Sequence, residues 1–193
     1  MEETRRLFVG VTLPHGVVTI IRKREQQLMR TYPDLPVRWT PLENLHMTVS
    51  FLGHVQDARL PELITALENA VRTCASFDMV FDRWMLGPSA AQPKMVWLGT
   101  DTPSAPLGAL TTAVARVVAP LHPPRGAYRP HVTLGRIAQK RYRALDEVPS
   151  IECTTSLVVM VDHVTLFEST VVDGTRAFVP LATCELDTTR HAT

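Results

Sequence analysis

Two short motifs of the same form carry the side chains best suited to chemistry in this chain. His46 and Thr48 lie in the segment HMTVS, and His131 and Thr133 lie in the segment HVTL. Alternate side chains of a β-strand point to the same face, so each motif presents an imidazole beside a hydroxyl, with apolar residues on the opposite face. A single pair of this kind is more often structural than catalytic. Two copies in one small protein favour a paired site.

Two facing histidines suit the hydrolysis of a phosphodiester by acid and base catalysis. One neutral imidazole takes a proton from the attacking water, and the other, as imidazolium, protonates the departing ribose oxygen. An unperturbed histidine pKa of about 6.5 makes both forms available near neutral pH. The threonine hydroxyls can donate to the non-bridging phosphate oxygens as charge develops on them. Such a site gains most on a strained five-membered cyclic phosphate, whose leaving oxygen stays tethered nearby. The predicted catalytic residues are His46, His131, Thr48 and Thr133.

Two further residues are candidates for binding the substrate. Arg136 follows His131 by five positions, so strict alternation places it on the opposite face, and a role in the cleft requires a bend or bulge at Gly135. In the cleft its guanidinium could pair with phosphate or lie flat on a base. Phe8, in the first predicted strand, is either a stacking platform at the floor of the cleft or a core residue. The sequence leaves both alternatives open for Phe8.

A metal site and a serine nucleophile are weaker interpretations of the same residues. His46 and His131 could bind zinc with a third ligand such as His54 or His163, but the sequence has no His-Glu-x-x-His, clustered cysteine or paired aspartate spacing. The G-x-S-x-G segment that typically presents a nucleophilic serine does not occur either. We therefore predict that the site uses no metal and no cofactor.

Composition indicates an ordinary globular protein, with 193 residues, 45% of them hydrophobic, a net charge of +1 and a mean hydropathy of +0.03. We expect a single domain over 1–186, a polar and frayed C-terminal tail over 187–193, and a monomer. The N-terminal segment lacks the pattern of a secretory signal, and no apolar run is long enough to span a membrane. Three scattered cysteines favour a reducing cytoplasm. Positive charge is concentrated in 102–145, which contains seven lysines and arginines and no acidic residue.

The elements that must position the motifs follow from local patterns. Runs of β-forming residues predict strands, and apolar residues at helical spacing predict helices. Together they predict an α+β protein with helices packed on the faces of a sheet. The predicted strands are 7–13, 37–40, 45–52, 77–86, 94–98, 131–137, 157–167 and 176–181, and the predicted helices begin near 17, 61 and 106.

Several longer segments resemble one enzyme family. The segments RLFVGVTLP, VRWTPLENLHMTVSFLG, PKMVWLG, YRPHVTLGR and VTLFES occur in this order over nearly the whole chain. Together they resemble the RNA 2′,3′-cyclic phosphodiesterase branch of the 2H phosphoesterase superfamily, historically called 2′-5′ RNA ligase. The resemblance implies a bilobal α+β fold in which two pseudo-symmetric lobes, each with an antiparallel sheet, flank a central cleft and carry their helices on the outside.

The same resemblance implies roles for individual residues. It makes His46 the proton donor and His131 the proton acceptor in a metal-free reaction that opens a 2′,3′-cyclic phosphate to a 2′-phosphomonoester. It places Arg136 in the substrate site. Two positions depart from the family pattern: Ser50 stands where many relatives carry lysine or arginine, and Gly135 replaces a more usual alanine or leucine.

Three other functions remain open from the sequence. The protein could join tRNA halves through a 2′-5′ bond, as a 2′-5′ RNA ligase, although no P-loop for an energy-coupling nucleotide is present. It could act on a small cyclic nucleotide metabolite, or it could be a binding module without turnover. The intact histidines and threonines argue against the last of these.

Overall fold

The computed structural model describes residues 3–101, 104–121, 128–145 and 151–192. Helices packed on a largely antiparallel sheet make this an α+β protein, which confirms the predicted fold class. The elements are β1 (Thr4–Thr12), α1 (His15–Thr31), β2 (Val37–Trp39), β3 (His46–Gln56), α2 (Leu60–Val71), β4 (Ala75–Gly87), β5 (Met95–Gly99), α3 (Ala105–Val118), β6 (His131–Ile137), α4 (Gln139–Tyr142), β7 (Cys153–Val161), β8 (His163–Val172), β9 (Thr175–Glu185) and β10 (Asp187–Ala192).

The two motif strands lie side by side in the middle of the sheet. The strand order is β10-β4-β5-β6-β3-β1-β8-β9, with β2 paired to β6 and β7 paired to β4. Within the described residues every pairing is antiparallel except that of β10 with β4. β3 and β6 are joined by one residue pair, Met47 with Val132. The sheet therefore consists of two halves, one carrying each motif, that meet at this pair.

The helices cover one face of this sheet. α3 packs on both β3 and β4, and α2 packs on α3. Their buried residues recur at the three- and four-residue spacing of an amphipathic helix, and burying each large apolar side chain stabilises the fold by about 1.5–3 kcal/mol. The buried residues are Leu63, Leu67 and Val71 in α2 and Leu107, Leu110, Val114 and Val118 in α3. None of the helices described has both the length and the apolar character needed to cross a membrane.

Three local predictions were wrong. The predicted strand 157–167 is two strands, β7 and β8, which are separated at Asp162. Gly53 does not end β3, because it continues the strand with a positive φ of 72° as far as Gln56. The segment from Asp187, expected to fray, forms β10, because its backbone finds partners beside β4: the Asp187 N–H donates to the carbonyl of Cys74, and the Ser76 hydroxyl donates to that of Arg190.

Candidate active site

The pairing of β3 with β6 determines which way both motifs face. Met47 and Val132, the paired residues, are both fully buried in the core beneath the helices. Side chains alternate along a strand, so the flanking histidine and threonine of each motif point to the opposite face of the sheet. Both motifs therefore lie on the face that the helices leave uncovered.

The register also places the motifs against each other. Antiparallel strands advance in opposite directions, so His46 is aligned with Thr133 and Thr48 with His131. The two imidazoles are thus diagonal neighbours, which lie about 7–8 Å apart in a regular sheet and farther apart where the ladder opens, as it does beyond this pair. That separation leaves room for a phosphate group between the rings.

A backbone carbonyl two residues upstream orients each imidazole. Nδ1 of His46 lies 2.7 Å from the carbonyl oxygen of Asn44, and Nδ1 of His131 lies 2.8 Å from that of Arg129. A carbonyl can only accept, so Nδ1 carries the hydrogen in both rings and Nε2 is the atom that exchanges protons. Nε2 of His46 lies 3.0 Å from the hydroxyl of Thr48.

Burial makes both histidines weaker bases than usual. It lowers the pKa of His46, partly offset by the bond to the carbonyl of Asn44, and the positive charge of a protonated His131 lowers it further. Burial also lowers the pKa of His131, and the bond to the Arg129 carbonyl raises it. Two interacting groups of this kind titrate as a pair.

Aromatic side chains of the first half of the sheet surround His46. Its ring centroid lies 4.7 Å from that of Phe8 and 4.9 Å from that of Phe178, which it meets edge-on at 85°. Phe8 is 3% exposed and stacks on Phe167 at 5.1 Å. This burial favours the interpretation of Phe8 as a core residue, which packs against the imidazole of His46.

His131 rests on a different aromatic surface. Its ring stacks on the indole of Trp97, with centroids 4.0 Å apart and planes inclined by 27°. Trp97 is 7% exposed, and a Cβ atom on Gly87 would lie only 2.3 Å from its ring. The missing side chain of Gly87 therefore makes room for the indole beneath His131. Sequence reasoning missed Trp97, although alternation in KMVWLG places it on one face of β5 with Gly99.

Tyr128 connects the segment before β6 to β3. Its hydroxyl donates to the backbone carbonyl of Thr48 at a distance of 3.1 Å, and burial of that hydroxyl raises its pKa. The residue as a whole remains 38% exposed. The tyrosine thus satisfies a strand carbonyl of the first motif from the other half of the sheet. Sequence reasoning also missed this residue, because its only local signal is its position three residues before His131.

β6 contains an irregularity next to its motif. Gly135 pairs with Val96 of β5, whereas Thr133 pairs with Trp97. Val96 and Trp97 are adjacent in β5, but their partners in β6 are two positions apart. Residue 134 is therefore one residue too many for regular pairing, which defines a β-bulge. An extra residue resets the alternation of side chains from that point onward.

The bulge turns Arg136 toward the motif face. Arg136 pairs with Met95, which shares a face of β5 with Trp97. Trp97 contacts His131, so Arg136 and His131 lie on the same face of the sheet. Arg136 is exposed. A role for Arg136 in the cleft required a bend or bulge at Gly135, and the structure has a bulge there.

The histidines considered as zinc ligands have other surroundings. Across the four ranges that the structure describes, no three side chains of the types His, Cys, Asp or Glu come together as a possible metal-binding group. Nδ1 of His163 lies 2.6 Å from a carboxylate oxygen of Asp162, and its Nε2 lies 3.2 Å from the hydroxyl of Thr12. His54 is exposed on β3. Of the basic residues in 102–145, Arg125 lies outside the described residues.

Comparisons with known proteins agree with this geometry. A model of the 2′-5′ RNA ligase superfamily matches residues 19–173. The RNA 2′,3′-cyclic phosphodiesterase of Aquifex aeolicus (strain VF5) is 26% identical over 152 residues, which cover 74% of this chain and 76% of that protein. Crystal structures of E. coli LigT in apo form and complexed with phosphate are 25% identical, cover 95% of this chain and 98% of theirs, and superpose with TM-scores of 0.73 and 0.72.

Proposed function

Because the chain belongs to the 2′-5′ RNA ligase superfamily, we propose that it hydrolyses a 2′,3′-cyclic phosphate at the end of an RNA or nucleotide to a 2′-phosphomonoester. The observation that carries the proposal is the alignment of two His-x-Thr motifs on one uncovered face, with Nδ1 of each histidine bound to a carbonyl. The name of the Aquifex relative and the phosphate complex of LigT support the same substrate group.

The proposed reaction is a single displacement at phosphorus. The oxygen of a water molecule attacks phosphorus while Nε2 of His131 takes the water proton. The bond from phosphorus to the 3′ oxygen breaks, and Nε2 of a protonated His46 gives that oxygen its proton. Thr48 and Thr133 donate hydrogen bonds to the non-bridging oxygens, whose negative charge grows in the transition state. The product carries a 2′-phosphate and a free 3′ hydroxyl.

The electrostatics of the two rings fit these roles. A lowered pKa makes the protonated form of a histidine a stronger acid, and a raised pKa makes the neutral form a stronger base, provided that each pKa stays near the working pH. Burial, together with the positive charge of a protonated His131, lowers the pKa of His46, so a protonated His46 gives up its proton readily. His131 rests on an indole face, which favours its imidazolium form, and this suits the acceptor. Acid and base are both side chains, so the proposed mechanism needs no metal ion.

The test is hydrolysis of 2′,3′-cyclic AMP with chromatographic separation of 2′-AMP from 3′-AMP. We expect only 2′-AMP, unchanged rates in EDTA, and losses of about 10²- to 10⁴-fold in His46→Ala and His131→Ala. His54→Ala is the matched control, because His54 is an exposed histidine of the same strand as His46. A 3′-AMP product, full activity in either motif variant, or activity that EDTA abolishes and zinc restores would contradict the proposal.

Ligation is the second candidate, because the description of the family names RNA ligase. In ligation the 5′ hydroxyl of a second RNA would replace water as the nucleophile at the same two histidines. The bond from phosphorus to the 3′ oxygen would break as in hydrolysis, and a 2′-5′ bond would be the product. Ligation joins two RNA ends, so its yield must rise with RNA concentration, whereas hydrolysis goes to completion at any concentration. A time course with a labelled RNA at two concentrations separates the two reactions. The same assay with cyclic mononucleotides tests the small-metabolite alternative.

A further inference from the structure

A second arginine lies directly beside Arg136. β2 pairs with β6 so that Arg38 is opposite Arg136, and both side chains are exposed. Residues that pair directly across two strands share a face of the sheet. Arg38 therefore lies on the same face as Arg136 and His131. Its neighbours Val37 and Trp39 pack against the core on the opposite face.

Among the residues that the structure describes, no side chain neutralises the charges of this arginine pair. Within the residues that the structure describes, neither guanidinium lies within hydrogen-bond or ion-pair distance of a partner. Like charges directly opposite each other destabilise a sheet. The pair thus costs stability unless an anion binds between or above the two side chains. Guanidinium groups bind phosphate in a two-pronged geometry, which makes phosphate the fitting anion.

The position of the pair relative to the histidines identifies which phosphate it can bind. β5 pairs with both ends of β6, through Gly99 to His131 and through Met95 to Arg136. Four residues of β5 separate the two positions, which is about 13 Å along the strand at 3.3 Å per residue. This backbone separation places the two arginines beside the pair of histidines rather than between their rings. It fits a neighbouring phosphate of a bound strand.

We propose that Arg38 and Arg136 form a binding site for the phosphodiester backbone that precedes the cyclic end of an RNA strand. The protein then acts on oligonucleotide ends in preference to cyclic mononucleotides. This inference rests on the proposed function and adds the substrate class to it. The proposal gives Arg38 a role in binding substrate. Ser50 has no charge to offer a phosphate, so the contacts to the RNA backbone come from Arg38 and Arg136.

The first experiment measures how the length of the substrate affects KM. KM is compared for a trinucleotide with a 2′,3′-cyclic end and for the corresponding cyclic mononucleotide. In Arg38→Gln we expect KM for the trinucleotide to rise about 5- to 10-fold more than KM for the mononucleotide, as the loss of one phosphate contact implies. Arg38→Lys keeps the charge and should recover part of the difference. Arg30→Gln, an exposed arginine of α1, is the matched control.

The second experiment measures binding without turnover. Fluorescence anisotropy follows a fluorescein-labelled trinucleotide that ends in a 2′-phosphate, at several salt concentrations. Arg38→Gln should reduce the slope of log K against log salt by about 0.7, the value for one phosphate contact with a single strand. Wild-type protein that hydrolyses no cyclic substrate would contradict the proposed function. The anisotropy measurement would still test the arginine site, because it needs no turnover.

Two results would overturn the inference. One is a change in the trinucleotide KM that is equal in Arg38→Gln and Arg30→Gln. The other is a change in Arg38→Gln that is equal for trinucleotide and mononucleotide, since that would place the contact at the reacting phosphate. Thermal unfolding of each variant checks that the protein is folded, and Arg136→Gln provides an independent variant at the same site.

Discussion

Replacing Trp97 with leucine removes the aromatic face on which His131 rests but keeps a buried apolar side chain at that position. A leucine keeps this position apolar, so the main change at His131 is the loss of the stacking contact. An indole face stabilises a cation above it, so its removal disfavours the imidazolium form of His131. We expect the pKa of His131 to fall in Trp97→Leu.

The magnitude follows from the stacking geometry. Centroids 4.0 Å apart are well within the range of a cation–π contact, which contributes about 0.5–2 kcal/mol depending on how dry the site is. At 1.36 kcal/mol per pKa unit, the pKa of His131 falls by about 0.4–1.5 units. If His131 is the base, the same loss in the transition state lowers kcat by about 2- to 30-fold.

Proton NMR of the histidine Cε1 hydrogens measures both pKa values directly, with signals assigned from His46→Gln and His131→Gln. The charge of His131 depresses the pKa of His46, so His46 is an internal control. Its pKa should stay constant or rise slightly in Trp97→Leu. Trp97→Phe, which restores a weaker aromatic face, should lie between wild type and leucine.

A pKa of His131 that is unchanged or higher in Trp97→Leu would refute this reasoning. Such a result would mean that the indole acts on His131 mainly by excluding water. An equal fall in the pKa values of both histidines would also refute it, because His46 does not lie on Trp97 and an equal fall would indicate a general change in the cleft.

Two further predictions concern stability and the support of Trp97. Glu25 is buried in α1 and has a pKa raised to about 7, so the native state binds more protons than the unfolded state between pH ~4.3 and ~7, and stability falls as pH rises through that window. In urea unfolding, Glu25→Gln should therefore gain about 3 kcal/mol over wild type at pH 8 and about nothing at pH 4. A Cβ at position 87 overlaps the indole, so Gly87→Ala should cost about 1–3 kcal/mol and reduce activity, whereas Gly16→Ala, which meets no atom within 4 Å, should do neither.

The strands that carry the two motifs could be predicted because their signals are local. Alternation around His46 and His131 defines the faces of β3 and β6 without reference to any other strand. The contacts of Trp97 and Arg38 could not be predicted in the same way. They depend on β5 and β2 being the neighbours of β6, and a local pattern does not determine strand order.

Arg136 shows where local reasoning reaches its limit. Strict alternation places it on the wrong face, and Gly135 was the single residue that indicated an exception. In the structure a Cβ on Gly135 would lie 2.5 Å from Val37, so β2 packs close against the bulge. This close packing is a property of the folded sheet. The boundaries of the domain and the monomeric state stay predictions.

The single pair that joins the halves of the sheet has a consequence for how the protein tolerates change. Beyond Met47 and Val132 the ladder between β3 and β6 stops, and the Tyr128 hydroxyl donates to the carbonyl of Thr48. The cleft is therefore a place where a sheet stays open, and backbone pairing determines its width. Substitutions of the side chains that line it should alter what it binds while leaving its width the same. Selection for new substrates can then act on those side chains without disturbing the spacing of the two histidines.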